Sequence, residues 1–229
     1  MKTNSRTRKK ETPRSRLVVP FHRQMSQFTC GPACVMMAMK FFNPTLRLTR
    51  ALEFEIWREA SLVESYGTSK EGLALAVAKR GFDAYTMGKS TQHSFVEAIA
   101  DRVPGIDYKM LELLYNDTKL RFNAMRLKNV RSSVDLQDLK SILQESQIPI
   151  LLTSTSLFGE KDGLPHWVVL TGYGTDSWYV NNPLGKQPNR RLSQKVLQRN
   201  MGYRQVRCAV IVRGPKPGRL MVRKTSSLS

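Results

Sequence analysis

The ten residues from Ala33 to Phe42, ACVMMAMKFF, carry a single charge, Lys40. A helix that is apolar around its whole circumference must be enclosed on every side, so the rest of the chain has to wrap around this segment. Cys30-Gly31-Pro32 leads into it. Thr29 is placed to cap the helix, and Pro32 falls in the first turn, where its missing N–H costs nothing. Asn43-Pro44 ends it. Cys30 therefore stands at the N-terminus of a buried helix, where aligned peptide dipoles and free N–H groups favour a thiolate. Gly31 beside it lets a substrate carbonyl approach the backbone closely.

Local patterns place the other elements. Leu17 to Val19 reads as a short strand stopped by Pro20. Helices are expected over Thr49 to Ala60 and Thr68 to Arg80, the second closed by Gly81 as its C′ residue. A strand follows from Phe82 to Met87. Residues 92–103 read as a helix, and residues 105–127 show mixed periodicity. Val134 to Glu145 reads as a helix capped by Ser133, with Leu136, Leu139 and Leu143 on one face. Strands are then expected at Ile150 to Thr153, His166 to Tyr173, Ser177 to Asn182 and Val206 to Val212, with a helix over Leu192 to Asn200. Helices first and an antiparallel meander afterwards make an α+β fold, an N-terminal helical half packed on a C-terminal antiparallel sheet.

Charge bounds the partners. The chain of 229 residues has 37 Lys and Arg against 18 Asp and Glu. Residues 1–16 hold seven Lys/Arg and one Glu, and residues 213–229 hold five and no acid. These read as solvated, disordered basic tails around a domain spanning residues 17–212, and nucleic acid is expected only through them. No aromatic residue in 1–16 supplies base stacking. Three cysteines, Cys30, Cys34 and Cys208, are too few and odd in number for a disulfide framework. Free thiols, no apolar segment after the basic N-terminus and no run long enough to span a membrane give a cytoplasmic expectation. No cofactor and no metal set is expected: Cys30 and Cys34 make a CxxxC on one helix face, with Cys34 read as core, as is Cys208. His22 and His93 stand in polar surroundings and read as surface residues, with a place bordering the cleft as the alternative for His22.

Thiol chemistry needs a base, an orienting group and an oxyanion donor. His166 opens an apolar strand, and Asn182-Pro183 closes the next one. An amide upstream of the cysteine would serve the oxyanion together with the Cys30 N–H. Gln24 offers one, and Gln27, three residues before Cys30, competes with it. Trp167 points to the opposite sheet face from His166. Register decides whether His166 meets Asn182. A two-residue turn at Thr175-Asp176 pairs Val169 with Asn182 and turns His166 away, whereas a turn centred on Gly174 pairs His166 with Asn182. The site needs the second register, or a bulge that mimics it.

Gln24 six residues before Cys30, TCGPA at Thr29 to Ala33, and HWVVLTGYG followed by YVNNP resemble the papain-like bacteriocin-leader peptidase family, as does GTSKEGLALAVAKRGFDA at Gly67 to Ala84. The resemblance covers roughly residues 17–212. It implies a papain-like fold, Cys30 as nucleophile, His166 as base, Asn182 as orienting residue and Gln24 as oxyanion donor, and the expected reaction is hydrolysis of a peptide or isopeptide amide bond in a peptide or protein substrate through a thioester. The family usually has Asp where this chain has Asn182. Its acidic residue before the nucleophile is here Thr29, as in stand-alone relatives without transporter domains, so a double-glycine leader is not implied as substrate. Two other outcomes share the same residues: an acyl transferase using the same thiol, and a peptide-binding module of weak or no activity. Oligomeric state is not legible in the sequence.

Overall fold

The computed structural model describes residues 15–62, 67–89, 105–161 and 163–216. The apolar segment forms helix α1 (Cys30–Phe42), and every residue from Cys30 to Met39 is buried. Lys40 folds its ammonium back onto the carbonyls of Pro44 and Leu46, at 2.8 and 2.7 Å, beyond the helix C-terminus. The one charge of the segment therefore sits where the helix dipole favours a cation.

Helix α2 (Arg50–Ala60) is capped by Thr49, and α3 (Lys70–Lys79) by Ser69, whose hydroxyl accepts the Gly72 N–H at 3.0 Å. Gly81 ends α3 with φ 84°, as its expected C′ role requires. Arg80 ties α3 to α2 by pairing with Glu59 at 2.6 Å and Glu55 at 2.9 Å. Next come strand β2 (Phe82–Met87), helix α4 (Tyr108–Ala124), strand β3 (Lys128–Val130) and helix α5 (Leu136–Gln144). Asp135, not Ser133, caps α5: its carboxylate accepts the Asp138 N–H at 2.8 Å, and an anion is the stronger partner at a helix N-terminus. The helix expected over residues 92–103 lies outside the described residues.

The remaining elements are β4 (Ile148–Ser154), β5 (Pro165–Tyr173), β6 (Ser177–Asn181), β7 (Arg190–Ser193), helix α6 (Gln194–Asn200) and β8 (Ala209–Pro215), with β1 (Ser15–Arg16) at the start. The expected helix from Leu192 begins two residues later, because Arg190 to Ser193 pair with β6 and the Ser193 hydroxyl then caps the helix. The expected strand at Leu17 moves back to Ser15–Arg16, which pair with Tyr173 and Gly172 of β5. One sheet runs β3-β2-β8-β4-β5-β6-β7, antiparallel at each pairing save β2–β3, with β1 beside the end of β5.

Alternation along the strands builds two cores. Ile150, Leu152, Trp167, Val169, Val210 and Val212 face α1 to α4. Leu151, Val168, Leu170, Ala209 and Ile211 face α5 and α6. The period of two in each strand fixes both layers. Met36, Met37 and Met39 belong to the first core, as do Cys34 and Cys208, and all three cysteines are free thiols. Trp167 lies in that core too, its indole N–H donating to the Thr68 carbonyl at 3.3 Å.

Candidate active site

Cys30 occupies the first residue of α1 and is buried. Thr29 takes the N-cap position but makes no capping bond. Its side chain is drawn elsewhere, accepting the Ser26 N–H at 3.2 Å and donating to the Ser26 carbonyl at 3.3 Å. Gly31 has a packing role rather than an open one. A Cβ there would lie 2.4 Å from the Thr68 hydroxyl and 3.0 Å from the Leu73 side chain. Its bare Cα thus lets the start of α3 close onto the start of α1.

The backbone N–H groups of Trp167, Gly31 and Cys30 itself favour the charged form of the Cys30 thiol. The first of these belongs to the peptide that follows His166, so the thiol sits against the start of β5. Burial pushes the thiol pKa up, the three N–H groups pull it back, and the Glu53 charge pushes it up again, with a net rise. This corrects the expectation of a thiolate poised by the helix dipole: in this enclosed setting desolvation outweighs the dipole. Cys34 is raised well above the ordinary thiol range and Cys208 to about 12, each first by burial.

His166 is buried, and its Nε2 lies 2.8 Å from Asn182 Oδ1. An amide oxygen only accepts, so Nε2 carries the proton and Nδ1 keeps its lone pair. Asn182 Oδ1 also accepts the Leu184 N–H at 3.1 Å, which fixes the amide's orientation. Phe158 stands edge-on to the imidazole, with ring centroids 5.9 Å apart. Burial lowers the His166 pKa to about 4, against the opposing effects of Asn182 and Glu160. The ring is therefore neutral at neutral pH.

The hairpin reaches this arrangement by a bulge. Near the turn Tyr173 pairs with Trp178 and Gly172 with Tyr179, the register that on its own turns His166 away. Leu170 then pairs with Val180 and Val169 with Asn181, so Thr171 is an extra residue on β5. Continued past Asn181, the shifted register puts Val168 opposite Asn182, on the sheet face that His166 shares. The neighbouring Asn181 is structural: its amide donates to the Val19 carbonyl and accepts the Asn189 N–H.

Gln24 is buried and Gln27 exposed. The Gln24 N–H donates to the Pro183 carbonyl at 3.0 Å, which ties its loop to the Asn182-Pro183 turn. Its side-chain amide donates to the Ser26 carbonyl at 2.6 Å, and Oε1 has no partner within the protein. His22 is not a surface residue: its Nε2 lies 2.6 Å from the fully buried Glu53. Sequence reasoning passed over Glu53, although it falls on one helical stripe with Ile56 and Ala60, the other buried residues of α2. Among the described residues no group of His, Cys, Asp and Glu could hold a metal ion, and no helix is long and apolar enough to cross a membrane.

Helices enclosing a cysteine-headed α1 against an antiparallel sheet that carries a His–Asn pair define a papain-like α+β fold. The profile of the Peptidase_C39 like family matches residues 19–200, and the chain belongs to that family. Among solved structures the fold is similar to a Peptidase_C39-type peptidase from Bacillus anthracis, at 11% identity and TM-score 0.50, over 88% of this chain and 99% of that one. A double-glycine-motif protease from an AMS/PCAT transporter, solved with its leader peptide, aligns at 13% identity and TM-score 0.48, over 90% and 98% of the two chains. No curated protein matches the chain.

Proposed function

We propose that the protein is a cysteine peptidase or amide hydrolase in which Cys30 is the nucleophile and His166 the base. The observation that carries this reading is the His166 Nε2–Asn182 Oδ1 bond at 2.8 Å, one residue before Trp167, whose backbone N–H helps to lower the Cys30 thiol pKa. With Nε2–H given to the amide oxygen, Nδ1 is the ring atom able to accept a proton. The site rests as neutral thiol and neutral imidazole. As a peptide carbonyl approaches, His166 Nδ1 takes the thiol proton and the sulfur bonds the carbonyl carbon. The second Gln24 amide hydrogen and the Cys30 N–H stabilise the oxyanion. The amine leaves with the proton from His166, a thioester remains, and water, deprotonated by His166, releases the acid.

Asn182 orients the ring but brings no charge to stabilise an imidazolium. Together with the raised thiol, this favours a second reading: a peptide-binding domain with little turnover. Iodoacetamide labelling read by mass spectrometry tests the first. Cys30 is expected to react at least tenfold faster than Cys34 or Cys208, the thiolate advantage of about one unit of pKa, most rapidly on the alkaline side of neutrality. Equal, slow labelling of all three would remove Cys30 as a nucleophile. The binding reading is then distinguished by a peptide whose affinity survives Cys30→Ala while no cleavage occurs.

A further inference from the structure

Helix α2 sends one carboxylate into the loop that leads to Cys30. Glu53 is fully buried. Its Oε2 meets His22 Nε2 at 2.6 Å, its Oε1 accepts the Met25 N–H at 2.7 Å, and the Thr29 side chain favours its charge as well. These three partners bracket Gln24, and the last of them immediately precedes Cys30. A single side chain thus holds both ends of the loop that carries the candidate oxyanion donor.

A buried carboxylate needs such a set of partners. Burial opposes its charge, yet the His22 ring, the Met25 N–H and the Thr29 hydroxyl hold Glu53 below the ordinary carboxylate range. The titratable groups that face it are His22 from the loop and Cys30 and Cys34 from α1. An anion so close to a thiol opposes thiolate formation unless a cation balances it. His22 is that cation whenever its ring is protonated.

We propose that Glu53 is a positioning residue for the Cys30 site, fixing the loop from His22 to Thr29, and with it Gln24, onto helix α1, while His22 balances its charge. The proposal rests on Cys30 being the reactive thiol.

The test is the pH profile of Cys30 modification by dipyridyl disulfide, site-resolved by mass spectrometry, on the full chain, with a melting curve for each variant. Glu53→Gln keeps an oxygen for the Met25 N–H but removes the charge. Its profile midpoint is expected to fall by about one pH unit, with the plateau rate within about twofold of wild type. Should that variant not fold, His22→Gln keeps a donor to Glu53 but cannot carry the balancing charge. Its Cys30 modification rate is expected to drop about five- to tenfold, the equivalent of up to one unit. An unmoved midpoint in Glu53→Gln, or a His22→Gln profile that superimposes on wild type, overturns the proposal even if both variants melt earlier, because a purely structural pair would change stability alone. In either case selective wild-type labelling of Cys30 leaves the peptidase reading standing. Wild-type protein without that selectivity removes both.

Discussion

The molecule holds one buried and one partly buried imidazole, His166 and His22, and they have been given opposite partners. On the sheet side His166 meets an amide, Asn182, at 2.8 Å. On the helix side His22 meets a carboxylate, Glu53, at 2.6 Å. The amide fixes orientation and tautomer but leaves the ring's charge to burial, which holds His166 neutral down to about pH 4. The carboxylate supplies a charge partner, and three groups of the surrounding loop serve to keep it ionised. In the proposed mechanism this division separates proton transfer from scaffolding: a base must change its protonation state during a cycle, whereas a structural clamp works best when its charges stay in place.

Removing His166 should break this contrast most severely. His166→Ala is expected to lower Cys30-dependent peptide cleavage by about 100- to 10,000-fold, the range of a positioned general base, measured as single-turnover thioester formation on a peptide library with Cys30→Ser as baseline. If cleavage persists within about threefold, the two imidazoles have been assigned the wrong way round.

Acid should distinguish the pairs next. His166 is neutral in the folded protein down to about pH 4, while in the unfolded chain it titrates near its ordinary value of about 6.5. Between these values the unfolded chain binds the extra proton, so its share of the stability is intact above about pH 6.5 and is lost as pH falls through about 4. The loss reaches about 3 kcal/mol, seen as a falling denaturation midpoint. His166→Gln should remove this part of the slope; a slope unchanged by that substitution would show that the ring is not buried neutral.

The smallest effect is the most specific. Asn182→Asp gives His166 a partner of the His22 kind. The ring titration, followed by its NMR shift, is expected to rise from about 4 by about one to three units. A ring that still titrates near 4 would place Asn182 away from it in solution.

Much of this was legible because it is local. Ala33 to Phe42 could only be a buried helix, Thr49 and Gly81 mark their helix ends, and the apolar strands separate themselves by turn residues. Helix α4 was not legible. Its buried stripe, Leu111, Tyr115, Thr118 and Phe122, is interleaved with exposed Met110, Leu113 and Leu120, which blurs the period. Strand β7 has a single buried residue, Leu192, and so no alternation to read. Of the site, residue types and spacing singled out Cys30, His166, Asn182 and Gln24, and the structure draws His166 to Asn182 and the Gln24 loop to Pro183. The thiol's raised pKa could not be read from its place at a helix start, because enclosure depends on the partners that α3 and β5 bring. Glu53 stayed hidden because a charged residue on a helix reads as solvent-facing until its neighbours are known.

The bulge at Thr171 makes the arrangement a matter of counting as much as of chemistry. Every group around the imidazole could be retained, and the strands still fully paired, while the loss of one residue between His166 and Leu170 would turn the imidazole to the sheet face away from Asn182. A chain of this type is therefore more exposed to the insertion or deletion of a single codon within that stretch of β5 than to most exchanges of side chains along it. Two relatives with identical site residues would differ in the placement of the imidazole if they differed by one residue between His166 and Leu170.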